Sequence, residues 1–132
     1  MRQYLLDTNI CIFFMKGLYD LKTKIEKAGT DNLFISEVTV AELNFGVQNS
    51  QAKEKNASTL ANFLTGVILI PIFPSLWVYA KEKVRLRQAG KTVDDFDLLI
   101  GATAIAMNLT LVTNNVEHLG RMENLSLEDW TR

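Results

Sequence analysis

Apolar positions along this chain alternate between short continuous runs and longer stretches of helical period. Tyr4-Leu5-Leu6 reads as a buried strand that ends on Asp7. Asn9 is placed to cap a helix through Met15, and a second helix is expected over residues 18–28, stopped by Gly29. Leu33-Phe34-Ile35 forms a second strand, after which Ser36 can cap a helix through Val47. Residues 52–64 follow as a longer helix whose inner side carries Leu60, Ala61, Phe63 and Leu64. Val67-Ile68-Leu69-Ile70 is a third strand, closed by Pro71. A helix over 75–89 ends at Gly90, and Asp94 can cap another that runs to Met107. Residues 109–112 give a fourth strand, and the tail holds a short helix near 116–122 and an edge strand near 125–127. Strands separated by helices predict βαβ units and an α/β fold with a parallel sheet. Ligand sites in such sheets lie outside the carboxyl ends of the strands.

Three acids interrupt this apolar pattern at those ends. Asp7 directly follows the first strand, where a helix cap is the simpler role. Glu42 shares a helix face with Val38, Ala41 and Phe45, while Val40, Leu43 and Val47 line the other side, so the whole helix is expected to be buried. A carboxylate in that setting needs a cation, either a Lys or Arg partner or a metal. Asp97 opens a helix with no further charge through Met107. Asp94 and Asp95 suffice for capping and for the helix dipole, which leaves Asp97 for function. Gly101 and Ala104 on the same face leave room for a ligand or a close backbone.

Composition narrows the chemistry. The chain has 132 residues, 14 Lys+Arg, 15 Asp+Glu, one His and one Cys. One domain over residues 1–132 is expected from this length. Thiolate or imidazole zinc sites are excluded, and Cys11 reads as a small buried hydrophobe between Ile10 and Ile12. Gathering carboxylates within ~4 Å of one another costs about 4 kcal/mol per pair at an effective dielectric near 20, which a divalent cation removes. All-oxygen ligands favour Mg²⁺, with Mn²⁺ as a substitute. Past the fourth strand, Asn115 and Glu117 are further possible ligands, and His118 is expected at the surface. No targeting segment is apparent, and the apolar runs at 67–73 and 98–107 are too short to span a bilayer. A cytoplasmic location is expected.

Four segments now form a recognisable set. Leu6-Asp7-Thr8-Asn9, Val40-Ala41-Glu42-Leu43, Asp97-Leu98-Leu99-Ile100-Gly101-Ala102 and Leu111-Val112-Thr113-Asn114-Asn115 fall in the order and spacing of a PIN domain. The closest resemblance is to VapC-type toxins of bacterial toxin–antitoxin pairs, and it extends to Leu125-Ser126-Leu127-Glu128-Asp129-Trp130. The resemblance implies a three-layer α/β/α fold and a Mg²⁺-dependent endoribonuclease, with tRNA as a target class. It also implies a cognate VapB-like antitoxin seated in a groove by the active site, and a homodimer. By position, Asp7, Glu42 and Asp97 resemble the metal-binding acids, and Thr8 and Thr113 resemble supporting hydroxyls. Many PIN domains carry Asp where this chain has Asn115, so the fourth ligand is open between Asn115, Glu117 and Asp94.

RNA must also be held. Lys81, Lys83, Arg85, Arg87 and Lys91 form a basic cluster on and after the helix from Ser75, the best phosphate-contact patch in the sequence. Trp77 and Trp130 read as packing residues. Two other readings compete: a metal-dependent DNA nuclease, and a catalytically silent PIN-fold binding module.

Overall fold

The computed structural model describes residues 2–132. Five strands, β1 (Tyr4–Leu6), β2 (Leu33–Ser36), β3 (Ile68–Ile70), β4 (Thr110–Val112) and β5 (Leu127–Glu128), assemble in the order β3-β2-β1-β4-β5. Every neighbouring pair is parallel, so the sheet is wholly rather than mainly parallel. Seven α-helices surround it: α1 (Thr8–Met15), α2 (Leu21–Ala28), α3 (Glu37–Gln48), α4 (Lys53–Leu64), α5 (Leu76–Gln88), α6 (Asp95–Ala106) and α7 (Val116–Leu119).

The pleat divides the apolar residues between two faces. Leu6, Leu33, Ile35 and Val112 meet Ile10, Leu21, Ile25, Leu43, Leu60 and Phe63 from α1–α4. Leu5, Ile70 and Leu111 meet Leu86, Leu98, Ile100, Ala104 and Leu119 from α5–α7. This is the expected α/β/α sandwich. Cys11 is fully buried among the first set, as its apolar neighbours predict.

Four local expectations are corrected. Asp7, not Asn9, caps α1: its backbone is extended and its carboxylate accepts from the Thr8 N–H at 2.8 Å. The strand leads straight into the helix, so the first free amides fall two residues earlier than Asn9 could serve. α2 begins at Leu21 because Tyr19 and Asp20 adopt left-handed φ values of 58° and 54°, which no helix accepts. α3 is not buried all round, since Ala41 is exposed and Phe45 is 70% exposed. Trp77 does not pack inside, being 77% exposed beside Phe73 at 80%. Trp130 does pack, edge-on to Tyr4 with ring centroids 5.0 Å apart.

Candidate active site

β1 and β4 lie side by side with Leu6 opposite Val112, so the residues that follow them, Asp7 and Thr113, emerge together. The Asp7 N–H extends that ladder by donating to the Val112 carbonyl at 2.9 Å. Asp7 is only 3% exposed, and its two carboxylate oxygens accept from the Thr8 N–H and from the Thr113 hydroxyl at 2.7 Å. Burial pushes its pKa above the ordinary value, and these two bonds oppose the rise.

Glu42 comes from the second turn of α3, where Ser36 sets the helix start by accepting from the Val38 N–H at 3.0 Å. The Thr8 hydroxyl donates to Glu42 Oε1 at 2.6 Å. Thr8 Oγ1 also lies 3.1 Å from Thr39 Oγ1. Burial raises the Glu42 pKa, the Thr8 bond counters it, and the charges of Asp7 and Asp94 add to the rise. Thr39 was not anticipated. Its signal was a lone hydroxyl three residues before Glu42, on the same helix face and fully buried.

Asp97 stands in the first turn of α6, behind the Asp94 cap that accepts from the Phe96 N–H. Burial first, then the charges of Asp7, Asp94 and Glu42, pushes its pKa up to about 6. Its Oδ2 receives the Asn115 side-chain amide at 3.4 Å. The structure thus gathers Asp7, Glu42 and Asp97, with Asp94 close enough to act on two of them. Among the described residues no Lys or Arg forms an ion pair with these three acids, which removes the simpler reading of Glu42. Glu117 is exposed. The Thr8 and Thr113 hydroxyls, expected as supports, donate to the Glu42 and Asp7 carboxylates.

Raised carboxyl pKa values with no Lys or Arg ion pair among the described residues, and only the charge of His118 opposing the rise at Asp97, describe a site short of positive charge, and its oxygen donors fit Mg²⁺ or Mn²⁺. Among the described residues no three His, Cys, Asp or Glu side chains are drawn tightly enough to close a metal cage.

The basic cluster on α5 divides. Arg85 forms a bidentate pair with Glu82, both bonds 2.9 Å, and donates to the Arg121 carbonyl at 2.8 Å. Glu82 is nearly buried and also accepts from the Glu123 N–H, so Arg85 is its counter-ion. Lys83 bonds Asp95 at 2.8 Å and the Tyr79 hydroxyl at 3.2 Å. These two residues fasten α5 to its neighbours through ion pairs, unlike the other bases of the cluster. Lys81, Arg87 and Lys91 are exposed and form no ion pair among the described residues. A separate groove of about 470 Å³ opens beside Glu42 between α1, α3 and α4, with Leu43 and Leu60 at its base and Lys16 and Lys55 at its edge.

With that geometry in place, comparison with known proteins decides the family. The PIN domain family model matches residues 4–123. The chain belongs to the PIN domain family. Ribonuclease VapC2 of Rickettsia felis is 39% identical to this PIN domain over 132 residues, covering 98% of each chain. The tRNA(fMet)-specific endonuclease VapC of Shigella flexneri is 30% identical over 132 residues, covering 99% of this chain and 100% of its own. Among solved structures, VapBC2 from Rickettsia felis bound to a DNA fragment from their promoter superposes with a TM-score of 0.90 at 37% identity, covering 96% of this chain and 98% of that one. DNA-bound VapBC from Salmonella typhimurium gives 0.93 at 27% identity, covering 98% and 99%.

Proposed function

We propose that this PIN domain is a divalent-metal-dependent endoribonuclease, a VapC-type toxin neutralised by a cognate VapB-like antitoxin. The observation that carries the reading is the meeting of Asp7, Glu42 and Asp97 at the carboxyl edge of the sheet, with raised pKa values and, among the described residues, no Lys or Arg ion pair. Asp7, Glu42 and Asp97 would hold Mg²⁺ or Mn²⁺. Such a cation supplies positive charge to the scissile phosphate and activates water for in-line attack. Thr113 and Thr8 keep Asp7 and Glu42 fixed for that task.

The relatives named as ribonucleases and as a tRNA(fMet)-specific endonuclease support RNA, and tRNA in particular, as the substrate. The VapBC complexes support an antitoxin partner. Arg87 and Lys91, on the last turn of α5 and in the connection to Asp94, are exposed and form no ion pair among the described residues, which leaves them available to phosphates. Among the described residues no helix is long and apolar enough to cross a membrane.

The test is cleavage of purified tRNA, unstructured RNA and DNA oligomers with Mg²⁺ and with EDTA. Mg²⁺-dependent cleavage of RNA, abolished in Asp97→Asn, is expected. Equal cleavage in EDTA, or preference for DNA, overturns the proposal.

A further inference from the structure

We infer that Asn115 acts in this site as a hydrogen-bond donor to Asp97, held in that orientation by His118, and not as the fourth metal ligand. Three contacts define the residue. Its backbone N–H donates to Thr113 Oγ1 at 3.0 Å, which pins it beside the group that grips Asp7. Its side-chain Nδ2 lies 3.4 Å from Asp97 Oδ2. Its Oδ1 lies 2.9 Å from His118 Nδ1, three residues along the first turn of α7.

An amide has one donating end and one accepting end, so its two neighbours must be of opposite kinds. Turning the Asn115 amide over would set its carbonyl lone pairs against the Asp97 carboxylate, in a site already crowded by Asp7, Glu42 and Asp94. Asp97 therefore selects the NH₂ group, and the carbonyl is left facing His118. With its proton on Nδ1, His118 donates to that carbonyl and completes the arrangement. The Asn115 carbonyl then points away from the acids and is engaged elsewhere. Residues 113–118 become one support: Thr113 grips Asp7, Asn115 steadies Asp97, and His118 steadies Asn115. His118 is a positioning residue: its one side-chain hydrogen bond among the described residues is to Asn115, and its charge also acts on Asp97 at longer range.

The kinetic consequences rest on the ribonuclease reading, and the geometric ones do not. His118→Ala and Asn115→Ala are each expected to lower kcat on RNA by about tenfold, with KM little changed, as for other residues that orient ligands of a metal site. His118→Gln, which offers an amide donor, is expected to recover most of that loss. His118→Ala should have a much smaller effect in the Asn115→Ala background than in wild type. Asn115→Asp should also lower kcat, because a carboxylate has no proton to donate. A crystal structure with Mn²⁺ is expected to show Asn115 Nδ2 on Asp97 and Oδ1 on His118. Asn115 Oδ1 bound to the ion, or Asn115→Asp as active as wild type, overturns the inference. So do additive effects of the two alanine variants. If wild type cleaves no RNA, the ribonuclease reading fails, and the Mn²⁺ structure still decides the role of Asn115.

Discussion

The Thr113 hydroxyl donates to Asp7 Oδ2 at 2.7 Å, joining residues 106 positions apart at the point where two neighbouring strands end. Both groups are almost wholly removed from water, so the bond has no solvent substitute.

Thr113→Val keeps the shape and removes the donor. Leaving a buried carboxylate oxygen unsatisfied costs about 1–3 kcal/mol. A lowered Tm and cleavage reduced by about tenfold are expected, and Thr113→Ser should retain both properties. Denaturant unfolding and RNA cleavage measured side by side check this; a neutral Thr113→Val would mean that Asp7 needs no such partner.

Asp97 governs how the metal-free protein responds to pH. Its carboxyl titrates near 6 in the folded chain against an ordinary 3.8, chiefly through burial and the charge of Asp7. Between those values the folded state binds the extra proton, so this contribution to stability falls as pH rises through the window. In EDTA, the Tm difference between Asp97→Asn and wild type should widen in favour of the variant from about pH 4 to about pH 6.5. At pH 7 the variant should melt ~2–5 °C higher. Added Mg²⁺ should raise the Tm of wild type alone.

The two kinds of basic residue on α5 should separate in experiment. Arg85→Ala leaves Glu82 nearly buried without its counter-ion and should lower stability by about 1–3 kcal/mol. Arg87→Ala and Lys91→Ala should leave Tm unchanged while raising KM for RNA and flattening its dependence on salt. Unfolding curves and KM measured at several salt concentrations distinguish them; a salt slope untouched by both substitutions would remove this end of α5 from the RNA path.

Gly101 faces Met122 and Leu119, not a ligand. A Cβ at residue 101 would lie 2.4 Å from Met122 Sδ and 3.4 Å from Leu119 Cδ2. Gly101→Ala should destabilise the protein by about 1–3 kcal/mol through overpacking. Met122→Ala in the same chain should relieve part of that strain, a coupling that a double-mutant cycle measures directly.

Much of this was legible in the chain because burial and chemistry pulled opposite ways at a few positions. Asp7 after Leu5-Leu6, Glu42 in an apolar helix and Asp97 ahead of ten uncharged residues each stood out against hydrophobic neighbours, and all three meet. The strand order was implied only as a set of parallel units, since pairing across β1 and β4 joins segments a hundred residues apart. Side-chain commitments were hidden for the same reason. Lys83 and Arg85 look alike in sequence to Arg87, and only the packing of α5 on Asp95, Arg121 and Glu123 separates them. Trp77 and Phe45 carry a core signature by type, and exposure at those positions follows from which faces of α5 and α3 the sheet leaves uncovered.

The position of β1 in the sheet has a consequence for how the protein comes to act as it is synthesised. β2 and β3 follow β1 directly and can pair on one side of it, but its other edge waits for β4, near the end of the chain. Until then Asp7 has neither the Val112 carbonyl nor the Thr113 hydroxyl, and Asp97 has no Asn115. A ribosome-bound or truncated chain that stops before β4 thus carries all three acids without the frame that holds them. The frame around the three acids is the last part of the fold to be completed, closing only when β4 and the residues after it have joined the sheet.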